Sequence, residues 1–173
     1  NPLGLQGDVT DATAQPELSV LELAEGLAME FVRVPAGPFV MGAVDEQRSD
    51  ADERPAREVL LEDYLIGRYP VTNEQFAVFA QTTHYRTVAE LLGRSYVWGD
   101  TSYAEVSGAD WRHPLGPGSD LGGRERHPVV HVSWHDALRF CLWLARASDR
   151  PVGLPSEAQW EKAARGVDGR LYP

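Results

Sequence analysis

This 173-residue chain has a single cysteine, Cys141. A single thiol excludes an internal disulfide and every zinc site built from paired cysteines. Cys141 lies between Phe140 and Leu142 in an apolar stretch, which offers a thiolate neither solvent nor a stabilising charge. The pattern therefore predicts a buried structural cysteine, and the reducing cytoplasm is the simplest compartment for such a chain.

Long apolar runs are also lacking, and the chain has no net positive charge. No run approaches the roughly 18 apolar residues that cross a bilayer, so the sequence predicts no membrane span. The formal charge is −10, which argues against a nucleic-acid partner held through its phosphates. What is present, 43% hydrophobic residues and five Trp, predicts a globular chain with one ordinary domain.

The chain divides into a tail and a domain. Residues 1–27 begin with a polar stretch rich in Gly, Pro, Asp and Thr and predict a linker or N-terminal tail. Within them, residues 20–26 are compatible with either a strand or a helical turn. Residues 28–173 form the predicted domain, which opens with apolar runs at 30–34 and 38–42 around Pro-Ala-Gly. These two runs predict a β-hairpin.

Three helices are indicated by capping boxes, in which a hydroxyl side chain stands three residues before a carboxyl or amide side chain. The pairs are Thr72 with Gln75, Ser133 with Asp136, and Ser156 with Gln159. The first helix should end near Thr83 and the third at Gly166. The second is apolar nearly all round over residues 137–145, which predicts a buried helix. Residues 92–126 are rich in Gly, Pro and Trp and predict a long irregular stretch.

Five separated segments carry a family likeness. They are residues 31–42 (FVRVPAGPFVMG), 69–76 (YPVTNEQF), 108–119 (GADWRHPLGPGS), 127–137 (HPVVHVSWHDA) and 154–166 (LPSEAQWEKAARG). In this order they resemble the formylglycine-generating enzyme (sulfatase-modifying factor) family. The resemblance implies an α+β, C-type-lectin-like fold that is rich in irregular structure. Residues 28–173 would be the N-terminal part of that fold, which would be incomplete at its C-terminal end.

The resemblance implies an oxidase. Enzymes of this family depend on copper, use molecular oxygen and convert a cysteine in a sulfatase's recognition sequence to formylglycine. Their redox cysteines and calcium ligands lie in the C-terminal part, which this chain does not include, so no catalytic residue or metal ligand is assigned here. Copper and calcium are expected only in the intact domain. A peptide or protein is the expected substrate.

The expected partner is the remainder of the same domain or a second chain. If later strands cover the second and third helices in the intact fold, residues 1–173 alone would expose a large apolar surface. We therefore expect the chain to occur with a companion rather than as an isolated monomer.

Two other functions fit the same scaffold. One is a non-catalytic ligand- or protein-binding domain, of the kind fused to signalling domains or found as the variable protein of a diversity-generating retroelement. The other is part of an iron-dependent sulfoxide synthase, whose metal ligands come from a separate helical domain. A pair of cysteines beyond residue 173 would favour the oxidase, and their absence would favour the binding domain.

Ligand-groove candidates lie in the long irregular stretch. They are Trp98, Trp111, Arg112 and His113. Trp supplies contact area and Arg a planar fork of donors for a peptide or small ligand. In the alternative, structural interpretation, Trp111 fills the core and Arg112 makes an ion pair or binds loop carbonyls. A fold so rich in loops needs such contacts, which favours the structural interpretation.

Histidines and acidic residues are poorer candidates for metal sites. His127, His131 and His135 recur every four residues, but the helix start at Ser133 predicts an extended segment before it. In such a segment His127 and His131 would stand about 13 Å apart, too far to share a metal. We therefore predict no metal site there.

The acidic loop over residues 43–55 lacks the fixed spacing of a calcium-binding EF-hand, which favours a solvated loop. Its acids are Asp45, Glu46, Asp50, Asp52 and Glu53.

Glu157 and Glu161 stand one helical turn apart. Capping and a salt bridge explain them more simply than an acid–base pair does.

Overall fold

The structure, a computed structural model, describes residues 18–43, 50, 53–99, 101–168 and 170. Over this part of the chain it combines α-helices with three small antiparallel sheets. The strands are β1 Leu18–Ala24, β2 Leu27–Val34, β3 Gly37–Met41, β4 Arg57–Leu61, β5 Tyr64–Gly67, β6 Arg94–Trp98 and β7 Tyr103–Ser107. The helices are α1 Asn73–Thr83, α2 Val88–Leu92, α3 Trp134–Ser148 and α4 Glu157–Arg165. The prediction of a mixed α and β fold is confirmed at this level.

The hairpin predicted from residues 30–34 and 38–42 is wrong. β2 pairs with β1 before it and with β5 after it, so the first sheet has the order β1-β2-β5. β3 pairs with β4 in a separate sheet. The Pro-Ala-Gly segment therefore carries the chain from one sheet to the next instead of folding a strand back on its neighbour.

Two turns explain this pairing. Gly26 has a φ of 73°, a conformation that glycine adopts readily, and the tight turn there pairs β1 with β2. At the other turn, Lys162 Nζ donates hydrogen bonds to the carbonyl oxygens of Pro35 (2.8 Å) and Gly37 (2.9 Å). The Lys162 side chain lies on α4 and is only 3% exposed. A distant helix therefore shapes this turn, and the local sequence does not reveal it.

Of the two options for residues 20–26, the strand is the one observed, as β1. The segment predicted as a tail over residues 1–27 thus contributes a strand to the first sheet. Leu21 and Leu23 of this strand pack against the core. Residues 1–17 lie outside the described part of the chain.

All three predicted capping boxes are present, with both reciprocal hydrogen bonds in each. α1 ends at Thr83 as predicted, and Gly166 is the C-cap of α4. A fourth box, formed by Thr87 and Glu90, starts α2. Sequence reasoning missed it because α2 has only 5 residues, too few to show helical periodicity.

The prediction of an irregular stretch over residues 92–126 is wrong for its first part. β6 and β7 form a hairpin, in which the rings of Trp98 and Tyr103 contact each other at a centroid distance of 4.8 Å. The Gly99 N–H donates to the carbonyl of Ser102 at 2.9 Å and closes the turn. Residues 108–126 are loops and turns, as predicted.

The core is an aromatic cluster between α1 and α3. Phe76, Phe79, Phe140 and Trp111 are each at most 3% exposed. The ring centroid of Phe76 lies 5.3 Å from that of Phe79 and 5.2 Å from that of Trp111, both in edge-to-face geometry. Such pairs contribute about 0.5–1.5 kcal/mol each beyond the burial of apolar area. The core therefore joins two helices to the loop that carries Trp111.

The helix α3 is less buried than its composition predicts. Phe140, Cys141 and Leu144 are buried, but Trp134 is 63% and Leu142 is 42% exposed. The prediction of a helix buried nearly all round is therefore wrong, because α3 buries one face. Cys141 itself is buried as predicted, and desolvation raises the pKa of its thiol.

Asp136 fastens α3 to the connection between α1 and α2. Its carboxylate is fully buried. It accepts hydrogen bonds from the Tyr85 hydroxyl (2.9 Å) and from the backbone N–H groups of Val88 (3.1 Å) and Ser133 (2.7 Å). One side chain thus caps its own helix and also binds a second segment.

Replacing Asp136 by Ala should lower the free energy of unfolding by about 3 kcal/mol or more, because each buried donor left without an acceptor costs about 1–3 kcal/mol. Urea unfolding of the intact protein measures this. Asp63→Ala is the control, since it removes an exposed carboxylate paired with Arg33 and should cost at most about 1 kcal/mol. Equal losses in the two variants would contradict the role assigned to Asp136.

Stability at alkaline pH should depend on Tyr85. Desolvation, together with the neighbouring Asp136 carboxylate, raises the pKa of Tyr85 from 10.0 to about 12. Because the folded-state pKa lies above the unfolded one, this contribution is present below pH 10 and is lost as the pH rises toward 12. Urea unfolding across that range should show a shallower fall for Tyr85→Phe than for the unsubstituted protein. Parallel falls would rule out this contribution.

Candidate functional site

The loop over residues 108–119 carries three of the four groove candidates. It begins at Gly108, whose φ is 71° and where a Cβ would lie only 2.6 Å from Cγ of Pro117. The Gly108 N–H donates to the carbonyl of Gly93 at 2.8 Å, at the end of α2. The close approach to Pro117 and the tie to α2 explain why glycine stands at this position.

Trp111 lies in the core. Its side chain is 2% exposed and packs edge-on against Phe76. The indole Nε1–H donates to Glu90 Oε2 at 3.2 Å, so its polar group is satisfied inside the protein. In this structure Trp111 fills the core rather than lining a groove.

Glu90 gathers several donors around one carboxylate. It accepts from the backbone N–H (2.8 Å) and hydroxyl (3.0 Å) of Thr87, from Trp111, and from Arg112 Nη1. The Glu90 side chain is 13% exposed and that of Arg112 41% exposed. The Arg112 guanidinium also lies 4.2 Å from the centroid of the Trp111 ring, a cation–π contact. Arg112 is thus held by a structural ion pair.

His113 pairs with Asp110 in the same loop. Asp110 Oδ1 accepts from the backbone N–H groups of Arg112 (2.7 Å) and His113 (2.8 Å), and it lies 3.1 Å from His113 Nδ1. The His113 side chain is 43% exposed, whereas that of Asp110 is 18% exposed. The imidazole is therefore oriented by a carboxylate and remains accessible to solvent.

His131 joins the β6–β7 hairpin to this loop. Its Nδ1 lies 2.8 Å from Oγ of Ser95 on β6, and its Nε2 lies 2.8 Å from the carbonyl oxygen of Pro114. Since a carbonyl only accepts, Nε2 donates, and in the neutral ring Nδ1 accepts from the Ser95 hydroxyl. Both ring nitrogens have partners, so His131 serves as a structural link. His131 also has a φ of 56°, which bends the segment predicted to be extended.

Trp98 lies apart from the other three candidates. It is 61% exposed on the β6–β7 hairpin, where its ring contacts that of Tyr103. Tyr96, two residues earlier on the same strand, is also exposed. The structure therefore brings Trp111, Arg112 and His113 together through Glu90 and Asp110, and it places Trp98 on a separate exposed surface.

Two surface cavities lie elsewhere. One, of about 970 Å³, lies between the β1-β2-β5 sheet and residues 150–155; Phe31, Tyr64 and Leu154 are among its lining residues. The other, of about 570 Å³, is lined by Met29, Tyr69 and residues at the start of α1. None of the four groove candidates lines either cavity.

Comparison with known proteins assigns the family. The profile of the sulfatase-modifying factor enzyme 1-like domain matches residues 19–173. The chain belongs to this family. It is 41% identical over 176 aligned residues to a formylglycine-generating enzyme from Thermomonospora curvata, covering 91% of this chain and 55% of that protein.

The chain is also similar to a relative that is named as inactive. The chain is 39% identical to an inactive C-alpha-formylglycine-generating enzyme 2 from Bos taurus, covering 88% of this chain and 54% of that protein. This sulfatase-modifying-factor-like chain therefore spans about half the length of the curated relatives it matches.

A solved structure supports the fold. The structure of PvdO from Pseudomonas aeruginosa superposes with a TM-score of 0.63, over 92% of this chain and 59% of that one. The sequence identity is 23%, so the similarity concerns the fold alone.

Among the described residues, no helix is long and apolar enough to span a membrane.

Copper, which the family resemblance implies, does not fit the described residues. Cu(I) prefers soft thiolate and thioether ligands. The Cys141 thiol is buried and its pKa is raised, so it does not supply an accessible thiolate. Within the described ranges, no three His, Cys, Asp or Glu residues are grouped so that they could hold a metal ion.

The acids weighed for calcium fall into two groups. Asp45, Glu46 and Asp52 lie outside the described residues. Asp50 and Glu53 bind each other, since the Asp50 N–H donates to Glu53 Oε2 at 3.1 Å. Glu161, weighed as an acid–base residue, accepts from the Gly42 N–H at 2.8 Å and pairs with Arg165. The predicted salt bridge of Glu161 is confirmed.

Glu90 and Asp110 organise the candidate loop, yet sequence reasoning missed both. The sequence did contain a pattern that predicts a role for Glu90, because Thr87 three residues earlier completes a capping box with it. Asp110 stands three residues before His113, but outside a helix this spacing does not predict that the two side chains are in contact. Only the folded loop brings the Asp110 carboxylate to the His113 ring.

Glu90→Gln should lower the free energy of unfolding by about 1.5–3 kcal/mol, the range for a hydrogen bond to a charged group. Glu105→Gln is the matched control, because Glu105 also pairs with an arginine, Arg94, but both members of this pair are exposed. It should cost at most about 1 kcal/mol. Chemical unfolding of both variants measures the difference. A larger loss for Glu105→Gln would contradict the role of Glu90.

Proposed function

We propose that the intact protein is a formylglycine-generating oxidase that converts a cysteine of a sulfatase recognition sequence to formylglycine. The observation that carries this proposal is the 41% identity to a formylglycine-generating enzyme over 91% of this chain. The family profile over residues 19–173 supports it. The substrate would be a peptide or protein that contains the cysteine.

In this proposal the chain supplies scaffold rather than chemistry. Cys141 is 8% exposed on α3 and contributes to the core, so it is not the reacting thiol. Copper, and calcium where the domain binds it, would be held by residues of the intact domain outside the described ones. Glu90 and Asp136 would keep the loop and the helices of this part in place.

We further propose that the remainder of the domain completes a C-type-lectin-like fold and covers this chain. Several large apolar side chains, distant from one another in the sequence, are more than half exposed. They include Leu60 (74%), Trp134 (63%), Trp160 (62%) and Val167 (69%). Where such side chains form a contiguous patch, they mark a contact surface. A second copy of the chain is the alternative occupant, and the oligomeric state of the intact protein separates the two.

A second candidate function is a non-catalytic binding domain. The 39% identity to a relative described as an inactive C-alpha-formylglycine-generating enzyme 2 favours it. The two relatives are thus nearly equally similar to this chain over this region. Turnover therefore distinguishes the candidates better than sequence similarity does.

The test uses the intact protein, supplied with copper under air, and a peptide that carries cysteine in a sulfatase recognition sequence. With a thiol reductant also present, the oxidase should consume oxygen and form a peptide aldehyde, releasing the cysteine sulfur as sulfide, while the reductant supplies the two further electrons that reduce the second oxygen atom to water. A hydrazide reagent traps the aldehyde for mass spectrometry. The same peptide with serine in place of cysteine is the control. Binding without aldehyde would support the second candidate, and neither binding nor turnover would eliminate both.

The variant Cys141→Ala refines this test. Because Cys141 is buried in α3, its replacement should leave turnover per folded molecule unchanged. Circular dichroism would establish that the variant is folded. A folded Cys141→Ala protein without turnover would make Cys141 part of the chemistry, contrary to the proposal.

A further inference from the structure

His113 has one ring nitrogen bound by the protein and one that is not. Nδ1 lies 3.1 Å from Asp110 Oδ1, whereas Nε2 has no hydrogen-bond partner among the described residues. With the side chain 43% exposed, Nε2 is available to a molecule from solution. Trp111 and Arg112 differ in this respect, because the core and Glu90 already occupy them.

Asp110 determines which nitrogen of His113 carries the proton. An ionised carboxylate only accepts hydrogen bonds, so Nδ1 must be the donor. In the neutral imidazole, Nε2 then presents a lone pair and acts as an acceptor. Asp110 Oδ1 also accepts two backbone N–H groups of the same loop, which keeps the carboxylate in this position.

The loop backbone is held on both sides of His113. Before His113, Trp111 is buried and Arg112 is paired with Glu90. After it, the Gly116 N–H donates to the His113 carbonyl at 3.0 Å, and His131 Nε2 donates to the Pro114 carbonyl at 2.8 Å. A group that is already held in place loses little freedom when a ligand binds.

We propose that His113 Nε2 is a binding site on this loop, where it accepts a hydrogen bond from an N–H or S–H donor of the cysteine-containing peptide. Asp110 is the positioning residue that, in the neutral ring, places the proton on Nδ1 and leaves Nε2 as the acceptor. This inference rests on the proposed function, because the peptide is the substrate named there. It assigns a ligand contact to one of the four groove candidates and a structural role to Trp111 and Arg112.

The test compares two substitutions of His113 in the intact protein. His113→Asn places an amide near the position of Nδ1 and so keeps a donor for Asp110, but it removes the acceptor at Nε2. His113→Gln places a carbonyl oxygen near the position of Nε2. His84→Asn is the control, because His84 is an exposed C-cap of α1 with a φ of 53°, which asparagine tolerates.

Calorimetry measures the affinity for the sulfatase-derived cysteine peptide. His113→Asn should weaken binding by about 3- to 10-fold, the value of one net hydrogen bond. His113→Gln should recover part of that loss, and His84→Asn should bind like the unsubstituted protein. Thermal unfolding should be unchanged in His113→Asn, which separates a lost contact from a disrupted loop.

Nitrogen NMR of the histidine ring reads the tautomer directly. At a pH at which the ring is neutral, the unsubstituted protein should show His113 with its proton on Nδ1 and none on Nε2. An Nε2–H tautomer, or unchanged affinity in His113→Asn while the unsubstituted protein binds the peptide, would overturn this inference alone. Absence of any peptide binding by the unsubstituted protein would instead overturn the proposed function, and this inference with it.

Discussion

The hydrogen bonds to the Asp136 carboxylate are the contact on which the helical part of this chain depends. They join Tyr85 and Val88, which follow α1, to Ser133 at the start of α3. Because the carboxylate is fully buried, its three donors have no water to replace it. In this relative position the aromatic rings of α1 and α3 are in contact, as between Phe76 and Phe140 at a centroid distance of 6.0 Å.

Glu90 has the same arrangement one helix earlier, on α2. Like Asp136, it is the third residue of a helix, completes a capping box, and also binds a group from another segment. Asp136 holds helix to helix, whereas Glu90 holds the loop of Trp111 and Arg112 to α2. Each carboxylate thus caps its own helix, which a sequence pattern predicts. Each also binds a segment distant in the sequence, which no local pattern predicts.

This division explains how much could be predicted from the sequence. The capping boxes at Thr72, Ser133 and Ser156 could be predicted from the sequence, because the partners in each box lie within three residues of each other. The pairing of β2 could not, because the partners of the segment that follows β2, Lys162 among them, lie far along the chain. In the candidate site, the structural interpretation of Trp111 and Arg112 followed from composition. Their shared partner Glu90 and the Asp110–His113 contact required the folded loop.

The burial of Lys162 has a chemical consequence. Lys162 is the only lysine of the chain, so its ε-amino group is the only side-chain amine. In the folded protein this amine is 3% exposed and donates to two carbonyl oxygens at the turn before β3. Amine-reactive labels and cross-linkers therefore reach it only when α4 separates from that turn. Its acylation rate would report on the local opening of this single contact.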